Sequence, residues 1–190
     1  MAYTKTPRQA WIDAGLAALG SDGPDSVRVE SLARTLGVTK GGFYGYFANR
    51  RALLDAMLDY WEHASTQAVT DQIDALSLDA GASVFQAAQL TWAPDGLRDV
   101  DLAIRDWARR DDEVAQRLAR VDRYRLDYLR RQMSALCSDP REAEARSIIA
   151  YLAAIGIRYA GVPMEDLGQE RQDAIDILTT PGTFRPPWNG

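Results

Sequence analysis

Residues 32–47, LARTLGVTKGGFYGYF, combine the features that a helix-turn-helix needs at fixed spacings. Ala33 is small enough to lie where two helices cross, and Gly37 can adopt the positive φ that ends the first helix. Thr39 is placed to cap the second helix. Apolar side chains that can hold both helices against a third one are Leu32, Leu36, Val38, Phe43 and either Phe47 or Tyr46. The pattern predicts a helix-turn-helix motif, and a helical corner without a DNA role is the alternative.

Helical patterns flank this motif on both sides. The helix before it is expected to end near Gly20, and Ser26 is expected to cap the next helix, which ends near Leu36. Asn49 is placed to cap a long helix that runs to about Leu76. Further helices are expected near residues 81–93, 97–109, 111–137, 140–160 and 166–179. No long stretch alternates with a period of two residues, so the predicted fold class is all-α.

The composition is that of an ordinary globular protein. The 190 residues are 46% hydrophobic and 26% charged, which suits one domain with a full core or two small ones. The single cysteine, Cys137, excludes an internal disulfide and fits a reducing compartment. The sequence contains no apolar run of about 18 residues and begins without an apolar leader segment. We therefore expect a soluble, cytoplasmic protein.

Charge is distributed unevenly along the chain. The formal net charge is −5, yet residues 1–51 carry +3 and residues 52–190 carry −8. A small basic segment joined to an acidic body is expected of a DNA-binding module attached to a domain that does not bind DNA. Random variation of the surface is the alternative explanation.

Residue types that support catalysis or metal binding do not cluster in this sequence. The only histidine, His63, has no cysteine or group of carboxylates at metal-ligand spacing around it. Neither a nucleophile elbow nor a phosphate-binding loop is present. We therefore expect a protein that is not an enzyme and that has no metal site and no cofactor.

Residues 6–60 resemble the N-terminal domain of the TetR family of bacterial transcriptional regulators. The family core, G-V-S/T-x-G-x-[LF]-Y-x-[HY]-F followed by a basic residue and a Leu-Leu pair, is matched by SVRVESLA (26–33), LGVTKGGFYGYF (36–47) and ANRRALL (48–54). Gly45, where the family often has a larger residue, is a departure. Over residues 61–190 the resemblance is architectural only.

The resemblance implies a homodimer in which each chain has about nine helices. It implies a three-helix, helix-turn-helix DNA-binding domain over residues 1–50 and a helical effector-binding and dimerisation domain over residues 51–180. The Pro/Gly-rich residues 181–190 are expected to form an irregular tail.

The resemblance also assigns DNA contacts by motif position. The residues expected to face the major groove are Thr39, Lys40, Gly41, Gly42, Tyr44 and Tyr46. Lys40 could bind a guanine edge or a phosphate, and the two tyrosines could donate to phosphates. Arg50 matches the family's basic phosphate contact, and Arg28 matches a position that meets the DNA backbone. The glycines would let the protein backbone lie close to the groove.

The C-terminal part contains a helix that is apolar around almost its whole circumference, SIIAYLAAIGIRYAGV (147–162). Such a helix needs burial on all sides. The resemblance places a dimer interface here, to which we assign Ile148, Leu152, Ile155, Tyr159, Ile175 and Leu178. A central core helix within one subunit is the alternative.

Candidates for an effector pocket among the middle helices are Trp61, Trp92, Trp107, Tyr124 and Tyr128, for which a core position is the alternative.

These observations favour a transcriptional repressor that a small-molecule effector releases from a palindromic operator in double-stranded DNA. An activator or a regulator without a ligand could use the same fold. A third alternative is a helical protein that binds a small molecule, or an enzyme, with a non-functional helix-turn-helix. The charge distribution, together with Lys40, Tyr44 and Arg50, argues against this third alternative.

Overall fold

The computed structural model describes residues 7–92, 97–159 and 168–182. In this part of the chain the regular structure is helical throughout, with ten α-helices and one 3₁₀ turn. The all-α prediction is therefore confirmed. None of the helices in these ranges has the length and apolar composition to cross a membrane.

The helices follow one another with short connections. The N-terminal ones are α1 (Arg8–Asp22), α2 (Val29–Thr35), α3 (Lys40–Phe43) and α4 (Arg50–Ala64), with the 3₁₀ turn over Pro24–Ser26. The others are α5 (Gln67–Asp74), α6 (Ala80–Trp92), α7 (Arg98–Ala108), α8 (Asp112–Leu136), α9 (Pro140–Tyr159) and α10 (Gly168–Thr179). From α6 onward the predicted bounds differ from the observed ones by at most two residues.

The long helix predicted from Asn49 to about Leu76 is two helices. The α4 helix ends at Ala64, and the N–H of Ser65 still donates to the carbonyl of Trp61 (2.9 Å). Thr66 then leaves the helical region with φ −131° and ψ −93°, and α5 begins at the next residue. Neither glycine nor proline marks this break, so the apolar periodicity continues across it without a signal in the sequence.

Two predicted helix caps have different outcomes. Asn49 caps α4 as expected, because its Oδ1 accepts a hydrogen bond from the N–H of Ala52 (2.9 Å). The prediction for Ser26 is wrong, since this residue lies in the 3₁₀ turn before α2. Its Oγ is 2.8 Å from the carbonyl oxygen of Ala18 and 2.7 Å from that of Gly23. The Ser26 hydroxyl therefore holds the turn against α1.

The chain divides into two compact units. The first contains residues 1–65 and 97–120, so it includes the described part of the predicted DNA-binding domain. Its fully buried side chains include Trp11, Leu19, Val27, Phe43, Leu53, Leu58, Trp61, Ile104 and Val114. Within this core, Nε1 of Trp61 donates to the buried carboxylate of Asp101 (3.3 Å), which also accepts from Nε of Arg105 (3.0 Å). This polar contact joins α4 to α7.

The second unit contains residues 66–96 and 121–190. Its described core includes Val84, Met133, Cys137 and Ala143. Arg146 of α9 is buried and donates to the carbonyls of Ile177 (2.6 Å) and Leu178 (2.8 Å) at the end of α10. Because these carbonyls have no partner within their own helix, the arginine caps α10 and fixes it to α9.

Candidate nucleic-acid interface

The turn between α2 and α3 closes as the sequence predicts. Gly37 has φ +67°, in the left-handed region that favours glycine. The N–H of Gly37 donates to the carbonyl of Arg34 (3.1 Å), and the N–H of Val38 donates to that of Ala33 (2.9 Å). These two bonds form a Schellman motif, which ends α2 and directs the chain into α3.

Aromatic packing anchors α3. Phe43 is fully buried, and its ring lies edge-on to Trp11 and stacked on Phe47, with both centroid distances at 5.4 Å. The guanidinium of Arg8 lies 4.9 Å from the centre of the Phe47 ring. The core positions predicted for Phe43 and Phe47 are confirmed. A helix of four residues is thus held by contacts with α1 rather than by its own helix propensity.

The other residues of this segment are mostly exposed. Tyr44 is 56% exposed and Tyr46 is half-buried. Thr39 occupies the N-cap position of α3, but its side chain makes no capping hydrogen bond. The cap role predicted for the Thr39 hydroxyl is therefore wrong, and this exposed group can bind a partner instead.

Three exposed glycines leave part of this surface without side chains. A Cβ atom at Gly41, Gly42 or Gly45 would meet no atom closer than 3.5 Å, and none of the three has a positive φ. Neither internal packing nor backbone conformation requires glycine at these positions. Their presence favours a partner that approaches the backbone closely.

Lys40 forms an ion pair that sequence reasoning missed. Its Nζ donates to Oε1 of Glu30, in the first turn of α2. The hydrogen bond from Lys40 lowers the pKa of Glu30, and the bond to the carboxylate raises the pKa of Lys40. Ten residues separate the two positions and a turn lies between them, so no helical spacing indicates this contact.

The two arginines assigned to the DNA backbone both donate to main-chain carbonyls. Nε of Arg50 binds the carbonyl of Val27 (2.6 Å), and its Nη2 binds that of Pro24. Nε of Arg28 binds the carbonyl of Asp25 (3.1 Å). Their phosphate contacts stay predictions, while Arg50 also has an internal role that its motif position did not indicate.

The candidate pocket aromatics fall in both units. In the first unit, Trp61 is fully buried and Trp107 is 7% exposed. In the second, the hydroxyl of Tyr124 lies 2.8 Å from Oγ1 of Thr70, and burial raises the pKa of Tyr128. The side chain of Trp92 lies outside the described residues. The assignment of these aromatics to an effector pocket stays a prediction.

The apolar face of α9 is largely uncovered in the single chain. Among the predicted interface residues, Leu152 is 59% exposed and Tyr159 is 61% exposed, while Ile148 is exposed to a smaller extent. Ile155 and Leu178 are half-buried, and Ile175 is buried within the chain itself. Ile149 and Ile177 are exposed as well.

The described part of the chain contains no cluster of side chains that could bind a metal ion together. Across 7–92, 97–159 and 168–182, no three His, Cys, Asp or Glu side chains are grouped so as to hold a metal ion.

Comparison with known proteins finds similarity to bacterial transcriptional regulators. Residues 12–57 match the model of the family described as bacterial regulatory proteins, tetR family. The HTH-type transcriptional regulator BetI from Serratia proteamaculans (strain 568) is 36% identical over 80 residues. That match covers 42% of this chain and 40% of BetI, so it spans less than half of the relative's length.

Solved structures show the same fold over most of the chain. A transcriptional regulator from Rhodococcus sp. Rha1 has a TM-score of 0.71 at 17% identity and covers 92% of this chain and 94% of its own. FadR from Bacillus subtilis, in complex with stearoyl-CoA, has a TM-score of 0.67 at 16% identity, with coverages of 91% and 98%. A TetR-family regulator from Rhodococcus sp. gives 0.64 at 20% identity, also with 91% and 98%.

Proposed function

We propose that the chain is a transcriptional repressor of the TetR family, whose model residues 12–57 match, and that it binds a palindromic DNA operator as a homodimer. The main support for this proposal is the helix-turn-helix itself. Buried Phe43 and Phe47 hold α3 in place, while the side chains of Thr39, Lys40 and Tyr44 stay exposed. In motifs of this kind the second helix enters the major groove and presents its side chains to base edges. Regulators of this family are generally not enzymes.

In this proposal, different side chains make different kinds of contact with the DNA. Lys40 reaches a base edge, and the hydroxyls of Tyr44 and Tyr46 donate to phosphates and so set the register. Arg28 and Arg50 lie next to the carbonyls of the turn before α2, where they add positive charge for the DNA backbone. The bare backbone at the glycines lets α3 approach the groove closely, so DNA shape contributes to specificity.

The exposed apolar face of α9 and α10 supports a homodimer. Several large apolar side chains exposed on neighbouring turns of one helix are typical of an interaction site. A two-fold dimer presents two recognition helices to half-sites roughly 34 Å apart, which explains a palindromic operator.

Release by a small molecule completes the proposed mechanism. The effector would bind a second conformation of the dimer more tightly than the conformation that binds DNA. The ratio of its two affinities limits how far it can shift the population toward the second conformation. The similar fold of Bacillus subtilis FadR holds stearoyl-CoA, which supports ligand binding by a helical domain of this type. Genes next to the coding sequence are the first source of candidate effectors.

Selection from a random-sequence DNA library tests the proposal. We expect the protein to recover a palindrome, to bind it with a nanomolar dissociation constant, and to lose affinity as salt rises. Candidate effectors are then scored by whether they release this DNA in a mobility-shift assay. Recovery of no common sequence would contradict the proposed function. If none of the candidates releases the DNA, the proposed DNA binding would stand, but release by a small molecule would not be part of the mechanism.

A further inference from the structure

The ion pair between Glu30 and Lys40 joins the two helices of the helix-turn-helix on its solvent side. The side chains are 61% and 50% exposed, so the pair is open to any DNA that contacts Lys40. We infer that Glu30 is a base-reading residue and that the pair selects a G·C base pair in each half-site of the operator. This inference rests on the proposed function.

Charge explains why such a pair favours specific over non-specific DNA. Affinity for any DNA comes largely from cations that displace counterions from phosphates. Lys40 with its carboxylate partner brings no net charge, and Glu30 repels a phosphate that approaches Lys40. The pair therefore adds little to non-specific binding. It contributes only where a base edge offers both members a better partner.

Base chemistry identifies that partner. In the major groove guanine presents two acceptors, N7 and O6, and the paired cytosine presents the N4 amino donor beside them. An ammonium group only donates and a carboxylate only accepts. Lys40 on the guanine edge and Glu30 on the cytosine amino group satisfy both side chains while they stay neighbours. An A·T pair places the apolar thymine methyl group next to these charges.

The pair can be tested without disturbing the fold. Exposed ion pairs contribute little to stability, so DNA can separate the two side chains readily. Glu30 is ionised at neutral pH, since the hydrogen bond from Lys40 lowers its pKa. The substitution Glu30→Gln keeps the shape of the side chain, removes its charge and replaces one acceptor oxygen with an amide donor.

The experiment compares library selections with the unaltered protein, Glu30→Gln and Lys40→Gln. Asp106→Asn is the matched control, because Asp106 is a 64%-exposed carboxylate in an ion pair with Arg110 in the same unit. We expect the unaltered protein and the control to require a G·C pair at one position of each half-site. Both test variants should lose that preference at the same position, by about tenfold. Glu30→Gln should also bind non-specific DNA more tightly, with a salt slope steeper by about 2 for a dimer.

Two outcomes overturn the inference and differ in what else they overturn. If the unaltered protein recovers a palindrome and Glu30→Gln recovers the same one with the same base preferences, the pair is a surface contact only and the proposed function stands. If the unaltered protein recovers no common sequence, the proposed function fails and the inference fails with it. Circular dichroism of each variant shows that a changed profile does not come from unfolding.

Discussion

Arg50 lies at the start of α4, and its guanidinium binds two carbonyls of the segment before α2. The bonds to Pro24 and Val27 link positions 26 and 23 residues apart and hold that segment against α4. Removing the guanidinium takes a donor away from two carbonyls in part-buried contacts. We expect Arg50→Ala to lower the free energy of unfolding by about 1–2 kcal/mol in the absence of DNA.

Urea unfolding of the free protein measures this effect. Arg34→Ala is the control, because Arg34 is an exposed arginine of the same motif for which the structure gives no side-chain hydrogen bond or ion pair among the described residues. An unchanged stability for Arg50→Ala would contradict the internal role. Any loss of DNA affinity in that variant would then belong to a phosphate contact alone.

Individual residues differ in how far the sequence reveals their contacts. The core positions of Phe43 and Phe47 were predictable, because two aromatic rings four residues apart in a helix-turn-helix pattern are most favourably placed in the core. The partners of Arg50 and Lys40 were not predictable. Each contact crosses a turn, so it depends on the angle between helices, which the residue types alone do not specify.

At the scale of one element, the glycines of α3 lower its helix propensity and leave its backbone exposed. Gly42 lies in the helical segment without a positive φ, and a Cβ atom added to it would meet no other atom within 4 Å. We expect Gly42→Ala to stabilise the free protein by about 0.5–1 kcal/mol, because alanine loses less backbone entropy in a helix. The same change should weaken DNA binding, since a methyl group then lies between the backbone and the groove.

Thermal unfolding and a mobility-shift assay on the same samples separate the two effects. Gly81→Ala in α6 is the matched control, because its Cβ would meet only ordinary contacts at 3.5 Å and beyond, and it lies far along the chain from α3. The control should leave DNA binding unchanged. If Gly42→Ala binds the operator as well as the unaltered protein, close approach at this position is wrong.

Helix bounds were predictable where the chain itself marks them. Asn49 caps α4 through a bond to the N–H three residues on, a local contact that the residue type favours. The break between α4 and α5 at Ser65 and Thr66 had no such mark. The apolar pattern continues through it unchanged.

At the scale of the whole molecule, the charge division of the sequence agrees with a regulator that binds DNA at one end of its chain. Residues 1–51 carry +3, and the rest carries −8. The acidic remainder also contains the exposed apolar residues of α9 and α10. We propose that a second copy of the chain buries them in the dimer. Buried Arg146 holds these two helices together within one chain, so their relative placement does not depend on the proposed dimer.

Leu152 tests this interface because its side chain is 59% exposed in the single chain. We expect Leu152→Asp to leave each subunit folded and to convert the dimer to a monomer at micromolar concentration. A carboxylate at a desolvated, apolar contact has no partner there, so association becomes unfavourable by several kcal/mol. Light scattering coupled to size-exclusion chromatography gives the mass, and circular dichroism gives the helical content.

Leu76→Asp is the matched control, since Leu76 is also in the second unit, is 51% exposed, and lies in the turn after α5 rather than on α9 or α10. It should stay a dimer. Because a monomer contacts one half-site only, Leu152→Asp should lose most of its affinity for the palindrome while an isolated half-site binds both variants equally weakly. A Leu152→Asp protein that stays dimeric would place the subunit contact on another face, and the exposed apolar residues of α9 would then need a different partner.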